Sequence, residues 1–463
     1  MLPEMNEISL QEQFEEIIRG EDQLRIKEFL NSQNISDVAN LLYENPEFET
    51  QIISHLSIHR AASVFKILDI VEQKRIIHNL PSFKSAELLN ELPADDRVDF
   101  LEELPNSVMR DFLKTLNPKE RKITLELLGY PENSVGRFMN PDYVYVYAHN
   151  TVEEVLSTVR KVAHNTETID VIYIIDKNGV LLDDIRIKDF ILAEPSTKVS
   201  DMMDGRFIAL SATDDQEVAN EVFKMNNRVA LPVIDQQGVL LGIVTIDDVL
   251  WIASEEFSED IQKIGGTDVL TEPYLDTPVF KLVQKRAGWL VILFLGEMLT
   301  ATAMQYFESE IEAATVLALF IPLIMSSGGN SGSQASTLII QAMALGELTV
   351  KDWSKVLRRE LISGLALGTL LGGIGFIRIF FWQQLHIFDY GIYWELVGFT
   401  IFFSLLGIVL WGSLVGSMLP IFLKRLKFDP ATSSAPAVAT LVDVTGIVLY
   451  FSVAYFFLKG ALL

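Results

Sequence analysis

The apolar positions of this chain fall into three successive rhythms, and each predicts a different kind of structure. Over residues 1–135 they recur at helical spacing, as at Val98, Phe100, Leu101 and Leu104. Leu80-Pro81, Leu92-Pro93 and Leu104-Pro105 repeat at a step of twelve residues, and Leu116-Asn117-Pro118 continues the series with one insertion. Proline suits the first turn of a helix, where its missing N–H leaves nothing unpaired. This stretch predicts short helices stacked into an all-α superhelical array.

Over 136–256 the rhythm shortens. Residues 171–182 read as strand, turn and strand, and residues 231–250 repeat them. Asp176 aligns with Asp235, Gly179 with Gly238, and Asp189 with Asp248; upstream, 151–155 aligns with 214–218, each opening a helix. The prediction is an α/β tandem module. Residues 257–287 form a charged link that begins with Glu256, Glu259 and Asp260 around it, passes Gly265-Gly266, and restarts as a helix at Pro278.

From residue 288 onward the apolar runs are long. Spans are predicted at 288–307, 313–345, 361–382, 396–423 and 431–458, each sufficient to cross about 30 Å of hydrocarbon. Lys281, Lys285 and Arg286 precede the first; Lys351, Lys355, Arg358 and Arg359 follow the second; Lys424, Arg425 and Lys427 follow the fourth. The other two loops hold no Lys or Arg, and Glu308, Glu310, Glu312 and Asp389 lie in or near them, so the positive-inside rule places the N-terminal half in the cytoplasm and the C-terminus outside. Within span two, Pro322 and the run 326–334, rich in Ser and Gly, predict backbone broken at membrane depth, with tight packing of small residues as the alternative. Gly368, Gly372 and Gly373 in span three are read as packing residues.

Charge sharpens the division. Residues 1–280 hold 51 Asp+Glu against 25 Lys+Arg, whereas 281–463 hold 11 against 12. So acidic a soluble half argues against nucleic acid and for cations as partners, unless the charge serves solubility alone. The chain has no cysteine, which excludes disulfides and thiolate metal sites. Residues 1–7 lack the basic and apolar regions of a signal peptide. No nucleophile, triad or phosphate loop points to an enzyme.

Candidate chemistry lies where charge meets apolar sequence. Asp443 is the single charged residue between Asp429 and Lys459. A carboxylate at such depth costs roughly 2.5–3.5 kcal/mol on insertion scales and usually faces a cavity or ion path. A protonated or salt-bridged structural Asp is the alternative. Glu297 in span one is read as hydrogen-bonded within the bundle, with a second pore group as the other possibility. Arg378 in span three is read as snorkelling outward. In the helical array Asp95 and Asp99 share a helix face within the cluster Asp95, Asp96, Asp99, Glu102 and Glu103, a solvated surface or one that holds a cation.

The tandem module resembles a pair of CBS domains, a family in which the cleft often binds adenosine nucleotides. That resemblance implies a possible ATP site at Arg186, Lys188 and Asp189, where the first copy ends. A regulatory dimerisation module is the alternative.

The whole chain resembles the MgtE family of magnesium channels and transporters. The matching marks are the Leu-Pro array, Tyr130-Pro-Glu-Asn-Ser-Val-Gly-Arg137 leading into the CBS pair, Gly328-Gly-Asn-Ser-Gly-Ser-Gln334, and residues 429–446. The resemblance implies a homodimer in the cytoplasmic membrane with a pore on its twofold axis, and Mg²⁺ bound there by Asp443 and the backbone carbonyl of Ala439. It also implies regulatory Mg²⁺ bridging the helical domain, the CBS module and the linking (plug) helix. The matching acidic positions are Asp215, Glu217, Asp248, Glu256, Glu259 and Asp260, with Asp95 and Asp99. Asn227 and Trp251 stand where the family pattern has acidic residues. The oxygen-only donor set suits Mg²⁺, a hard ion that sheds water reluctantly. A CBS-regulated membrane scaffold and a transporter of another solute are the rival readings. Asp443 speaks against the scaffold, which has no use for a lone carboxylate in hydrocarbon.

Overall fold

Each Leu-Pro step ends one helix and begins the next. The computed structural model describes residues 9–20, 22–270, 272–275 and 277–462. The N-terminal heptad read above lies outside them. The described helices of the array are α1 (Leu10–Arg19), α2 (Gln23–Ser32), α3 (Ile35–Glu44), α4 (Glu49–His55), α5 (Ile58–Lys66), α6 (Ile70–Asn79), α7 (Ser82–Glu91), α8 (Ala94–Glu102), α9 (Asn106–Thr115) and α10 (Pro118–Leu127). Pro81, Pro93 and Pro105 sit one residue before their helices, and Pro118 opens α10. In either place no helical hydrogen bond is lost.

The chain divides into two units, 1–254 and 255–463. In the first, Phe14, Leu30, Leu42, Phe65, Leu89 and Phe100 belong to one continuous core. Each such buried side chain contributes roughly 1.5–3 kcal/mol. Helix α8 serves two cores. Phe100 and Leu101 face the array, while Ala94 and Val98 pack with Leu231, Val244 and Phe223 of the second α/β repeat. Between those faces Arg97 is fully buried. Its guanidinium donates to Glu120 at 2.6 Å, Thr124 at 2.9 Å, and the carbonyls of Leu89 and Leu92 at 3.2 and 3.0 Å. This satisfied charge fixes α8 against α7 and α10.

The repeats fold alike. Strand β1 (Tyr145–Tyr147) pairs parallel with β2 (Val171–Ile175), which pairs antiparallel with β3 (Leu181–Arg186). Likewise β4 (Leu210–Ser211) pairs parallel with β5 (Ala230–Ile234), and β5 antiparallel with β6 (Leu240–Thr245). The helices between are α11 (Val152–Val162), α12 (Ile187–Leu192) and α13 (Gln216–Asn226). The aligned aspartates hold the hairpin turns. Asp176 accepts from the N–H groups of Asn178 and Val180, and Asp235 from those of Gln237 and Val239. Gly179 and Gly238 take φ of 82° and 81°, and each accepts a bond from the other repeat's strand. Their pairing is reciprocal, as a pseudo-twofold requires.

Helix α14 (Ile246–Ile264) starts within the second repeat and is followed by a turn at Gly265-Gly266, where Gly266 has φ of 72°. Helix α15 (Val279–Tyr306) follows only after a non-helical stretch. Residues 257–287 are therefore two helix ends and a loop, not one linking helix. The second unit continues with α16 (Glu308–Ala313), α17 (Thr315–Ala318), α18 (Ile321–Ala344), α19 (Trp353–Gln384), α20 (Trp394–Arg425) and α21 (Ala435–Leu458). Among the described residues, five helical segments are long and apolar enough to cross a membrane.

The backbone break expected in span two is absent. Helix α18 runs unbroken through 326–334, and Pro322 lies in its first turn. The interruptions precede it, around α16 and α17. Close packing explains the small residues instead. A Cβ on Gly416 would stand 2.1 Å from the Gly332 carbonyl oxygen, and one on Gly412 2.3 Å from that of Gly328. Two small-xxx-small stripes thus let α18 and α20 touch through their backbones. Ser331 and Ser413 hydrogen-bond across the same contact at 2.8 Å.

Candidate functional site

Three groups of acidic residues stand out, one in the first unit and two in the second. In the first unit, Asp95 is buried at the start of α8. Asn140 Nδ2 donates to Asp95 Oδ1 at 3.1 Å and to Glu167 Oε2 at 3.0 Å. Lys66, at the end of α5, lies 3.4 Å from Asp96 and 3.9 Å from Glu167. Asp248 opens α14 and accepts from Thr245 Oγ1 at 2.6 Å. Burial, reinforced by Asp96, Asp248 and Glu167, pushes the Asp95 carboxyl well above the usual carboxylate range. Burial likewise raises Glu167 to about 7 against the opposing pull of Lys66. Asp248 rises to about 6, again mainly through burial, with Asp247 and Asp96 adding repulsion. These groups carry more negative charge than Lys66 alone offsets.

Other sequence-chosen positions lie apart. Asp99 is exposed on α8. Asp215 caps α13 by accepting from the N–H of Glu217 at 3.0 Å, and Glu217 is exposed in the same first turn. Asn227 ends α13 with φ of 49°, a left-handed conformation that Asn tolerates better than most residues. Its identity has a local backbone reason. Trp251 is 65% exposed. Arg186, Lys188 and Asp189 are exposed at the β3–α12 junction.

In the second unit, Glu256, Glu259 and Asp260 lie on the last turns of α14. Lys263 Nζ pairs with Glu259 and with Asp429, the latter at 2.7 Å. Asp260 is pushed up to about 6, by burial first and then by Asp429. A cavity of ≈180 Å³ adjoins this group, lined by Lys263, Gly266, Trp289 and Thr432. Trp289 Nε1 donates to Ser434 Oγ at 2.9 Å, which ties α15 to the start of α21.

The third group centres on Asp443 in α21. It is half-buried, and neither hydrogen bond nor ion pair engages its carboxylate among the described residues. Gly329 of α18 faces it: a Cβ there would lie 3.4 Å from Ala439 Cβ and 3.9 Å from Asp443 Oδ1. Ala439 and Asp443 are one turn apart on a single face. Glu297 of α15 is exposed, lies within electrostatic reach of Asp443 and, among the described residues, makes no hydrogen bond, contrary to the expectation of a bundle partner. Arg378 is exposed and places its guanidinium 4.1 Å from the Trp382 ring centroid.

Among the described residues, no three carboxylate or imidazole side chains converge as a ready-made metal cage. The donors are oxygen only, which fits an ion that keeps several waters and takes one or two carboxylates.

The comparisons agree with this layout. Residues 321–453 match the model described as a divalent cation transporter, MgtE; residues 8–133 match the MgtE intracellular N domain; and 135–196 and 199–255 match CBS domains. The magnesium transporter MgtE of Thermus thermophilus is 38% identical over 345 residues, 74% of each chain. The chain belongs to the MgtE family. The MgtE magnesium transporter of Bacillus subtilis is 28% identical, over 75% of this chain and 74% of that one. Among solved structures, the cytosolic domain of an Mg²⁺ channel MgtE in complex with ATP is 31% identical with a TM-score of 0.50, covering 52% of this chain and all of that one. The soluble part of a magnesium transporter is 25% identical with a TM-score of 0.51, covering 53% of this chain and 97% of the other. MgtE is a transporter family, not an enzyme class. The chain is thus a multi-pass membrane transporter with cytosolic N-terminal domains.

Sequence reasoning missed Glu167, Asp247, Lys66 and Asn140 at the first group, and Lys263 at the second. Asp247 adjoins Asp248 and was within reach of inspection. Glu167 and Lys66 come from a loop and a helix end with no local pattern to mark them.

Proposed function

We propose that this MgtE protein carries Mg²⁺ across the cytoplasmic membrane as a homodimer, with the ion path on the twofold axis. Asp443 holds the ion there with the Ala439 carbonyl. The observation that carries the reading is Asp443 itself, an unpaired carboxylate deep in a span, against a glycine that leaves room beside it. Relatives named as magnesium transporters support the choice of ion. Two Asp443 carboxylates across the axis suit an ion that keeps part of its water shell.

Cytosolic Mg²⁺ closes the path. Regulatory ions bind at carboxylates drawn from Asp95, Asp99, Asp215, Glu217 and Asp248 in the first unit, and at Glu256, Glu259 and Asp260 on the last turns of α14. The charge excess beside Asp95 and Asp248 supports this, because bound cations relieve it. Closure by Mg²⁺ requires that the closed form bind more of the ion than the open form. ATP binds at the CBS module near Arg186, Lys188 and Asp189, a reading supported by the ATP complex of a related cytosolic domain. The N-terminal half faces the cytosol and the C-terminus lies outside.

Mg²⁺ flux into liposomes holding purified protein tests the central claim. Wild-type protein should pass Mg²⁺ and be inhibited by Mg²⁺ on the cytosolic face. Protein that is folded yet passes none would overturn it.

A further inference from the structure

We propose that Glu297 is a second carboxylate of the ion path and sets, with Asp443, the affinity and divalent selectivity of transport. This rests on the reading of Asp443 given above. Glu297 is the single charged residue of α15 between Arg286 and its C-terminal end. A carboxylate in that setting costs several kcal/mol unless it meets water, a partner or an ion. The chain supplies no partner: no hydrogen bond or ion pair engages Glu297 among the described residues, and Arg378 of α19 is spent on Trp382 and Phe320.

What positions Glu297 is a helix crossing. Gly296 lets α15 press against α21, since a Cβ there would meet Thr440 Cγ2 at 2.9 Å. Thr440 precedes Asp443 by three residues on one face of α21. The crossing therefore fixes Glu297, the next residue of α15, within electrostatic reach of Asp443. Gly329 borders Asp443 on the α18 side. Asp443 thus has a glycine beside it on α18 and, within electrostatic reach on α15, a second carboxylate that adds charge.

The consequence is electrostatic. Two carboxylates in a low-dielectric span repel one another, and a cation between them or beside both removes that repulsion. A divalent ion gains twice the attraction of a monovalent one from each carboxylate, so the second carboxylate widens the preference for divalent over monovalent ions. Oxygen donors without thiolate or imidazole direct that preference to a hard ion.

The test uses the full chain in liposomes and compares E297Q with D443N. For E297Q, transport should persist, with half-saturating Mg²⁺ raised about tenfold, equivalent to about 1.4 kcal/mol. Its selectivity for Mg²⁺ over Na⁺ should fall by a similar factor. D443N should be inactive. Wild-type half-saturation and selectivity in E297Q, with D443N inactive, would overturn the role of Glu297 and leave that of Asp443 standing. Wild-type flux in D443N would instead overturn the reading of Asp443. If E297Q does not elute as the native species, E297C decides, because the chain has no other cysteine. An anionic thiol reagent should lower half-saturating Mg²⁺ and a cationic one should raise it. Equal effects of the two reagents would mark a packing role and end the proposal.

Discussion

Lys263 Nζ lies 2.7 Å from Asp429 Oδ2 while pairing with Glu259 one turn back on its own helix. A tethered ammonium therefore stands among Glu259, Asp260 and Asp429, where the proposed function places a regulatory divalent ion. Lys66 does the same in the first unit, beside Asp96 and Glu167. Each lysine offsets part of the carboxylate charge before any metal binds.

Removing that tether should sharpen metal dependence. In Lys263→Met, Glu259, Asp260 and Asp429 repel one another without Mg²⁺ and attract it more strongly when it is present. Half-inhibition of flux should occur at about threefold lower cytosolic Mg²⁺, the scale of one partly exposed ion pair. An unchanged inhibition curve would show that the pair only ties the end of α14 to Asp429.

The first unit should show a pH signature of its own. Asp95, Glu167 and Asp248 have folded pKa values above their unfolded ones. Their protonated forms stabilise the fold fully below about pH 4, and that stability is lost as pH rises through about 6 to 7. Asp96 and Asp247 add repulsion in this window, while Lys66 stays charged throughout. For fragment 1–270 without metal, stability should fall by about 2 kcal/mol or more between pH 4 and pH 7. Mg²⁺ at about 10 mM should recover much of that loss at pH 7 and little at pH 4. Thermal melts at both pH values check it, and the solved cytosolic domains of relatives show that such a part crystallises alone.

Asp443→Ala should abolish Mg²⁺ flux while the protein still elutes as the folded native species, because among the described residues the side chain makes no hydrogen bond whose loss would weaken the bundle. Asp443→Asn should impair flux as well, since it keeps the shape and removes the charge. Flux at the wild-type level in either variant would make Asp443 structural.

Gly416→Ala places a methyl group against the Gly332 carbonyl, where 2.1 Å is available. The α18–α20 contact must open to admit it. The expected cost is about 1–3 kcal/mol or more, read as a lowered melting temperature in detergent. An unchanged melt would mean that the two backbones can separate without penalty.

Orientation is open to labelling because the chain lacks cysteine. A thiol at Ser354 should react from the cytoplasmic side and one at Gln384 from outside. Reversed labelling would overturn the inferred topology.

The sequence by itself determined the elements and their order. Apolar periodicity and length are local properties, so the Leu-Pro array, both CBS repeats and five membrane-length helices were readable from it. Asp443 was also legible, because one charge in a long apolar run needs no tertiary information to be noticed. Backbone continuity through 326–334 was not. Glycine and serine can break a helix or let two helices touch, and only Gly412 and Gly416 opposite Gly328 and Gly332 decided for contact. Nor could the sequence bring Lys66 to Glu167, Lys263 to Asp429, or Glu297 to Asp443. These pairs are separated by roughly a hundred residues or more, and electrostatic energy depends on distance in space, which the packing of α5, α14 and α15 alone supplies.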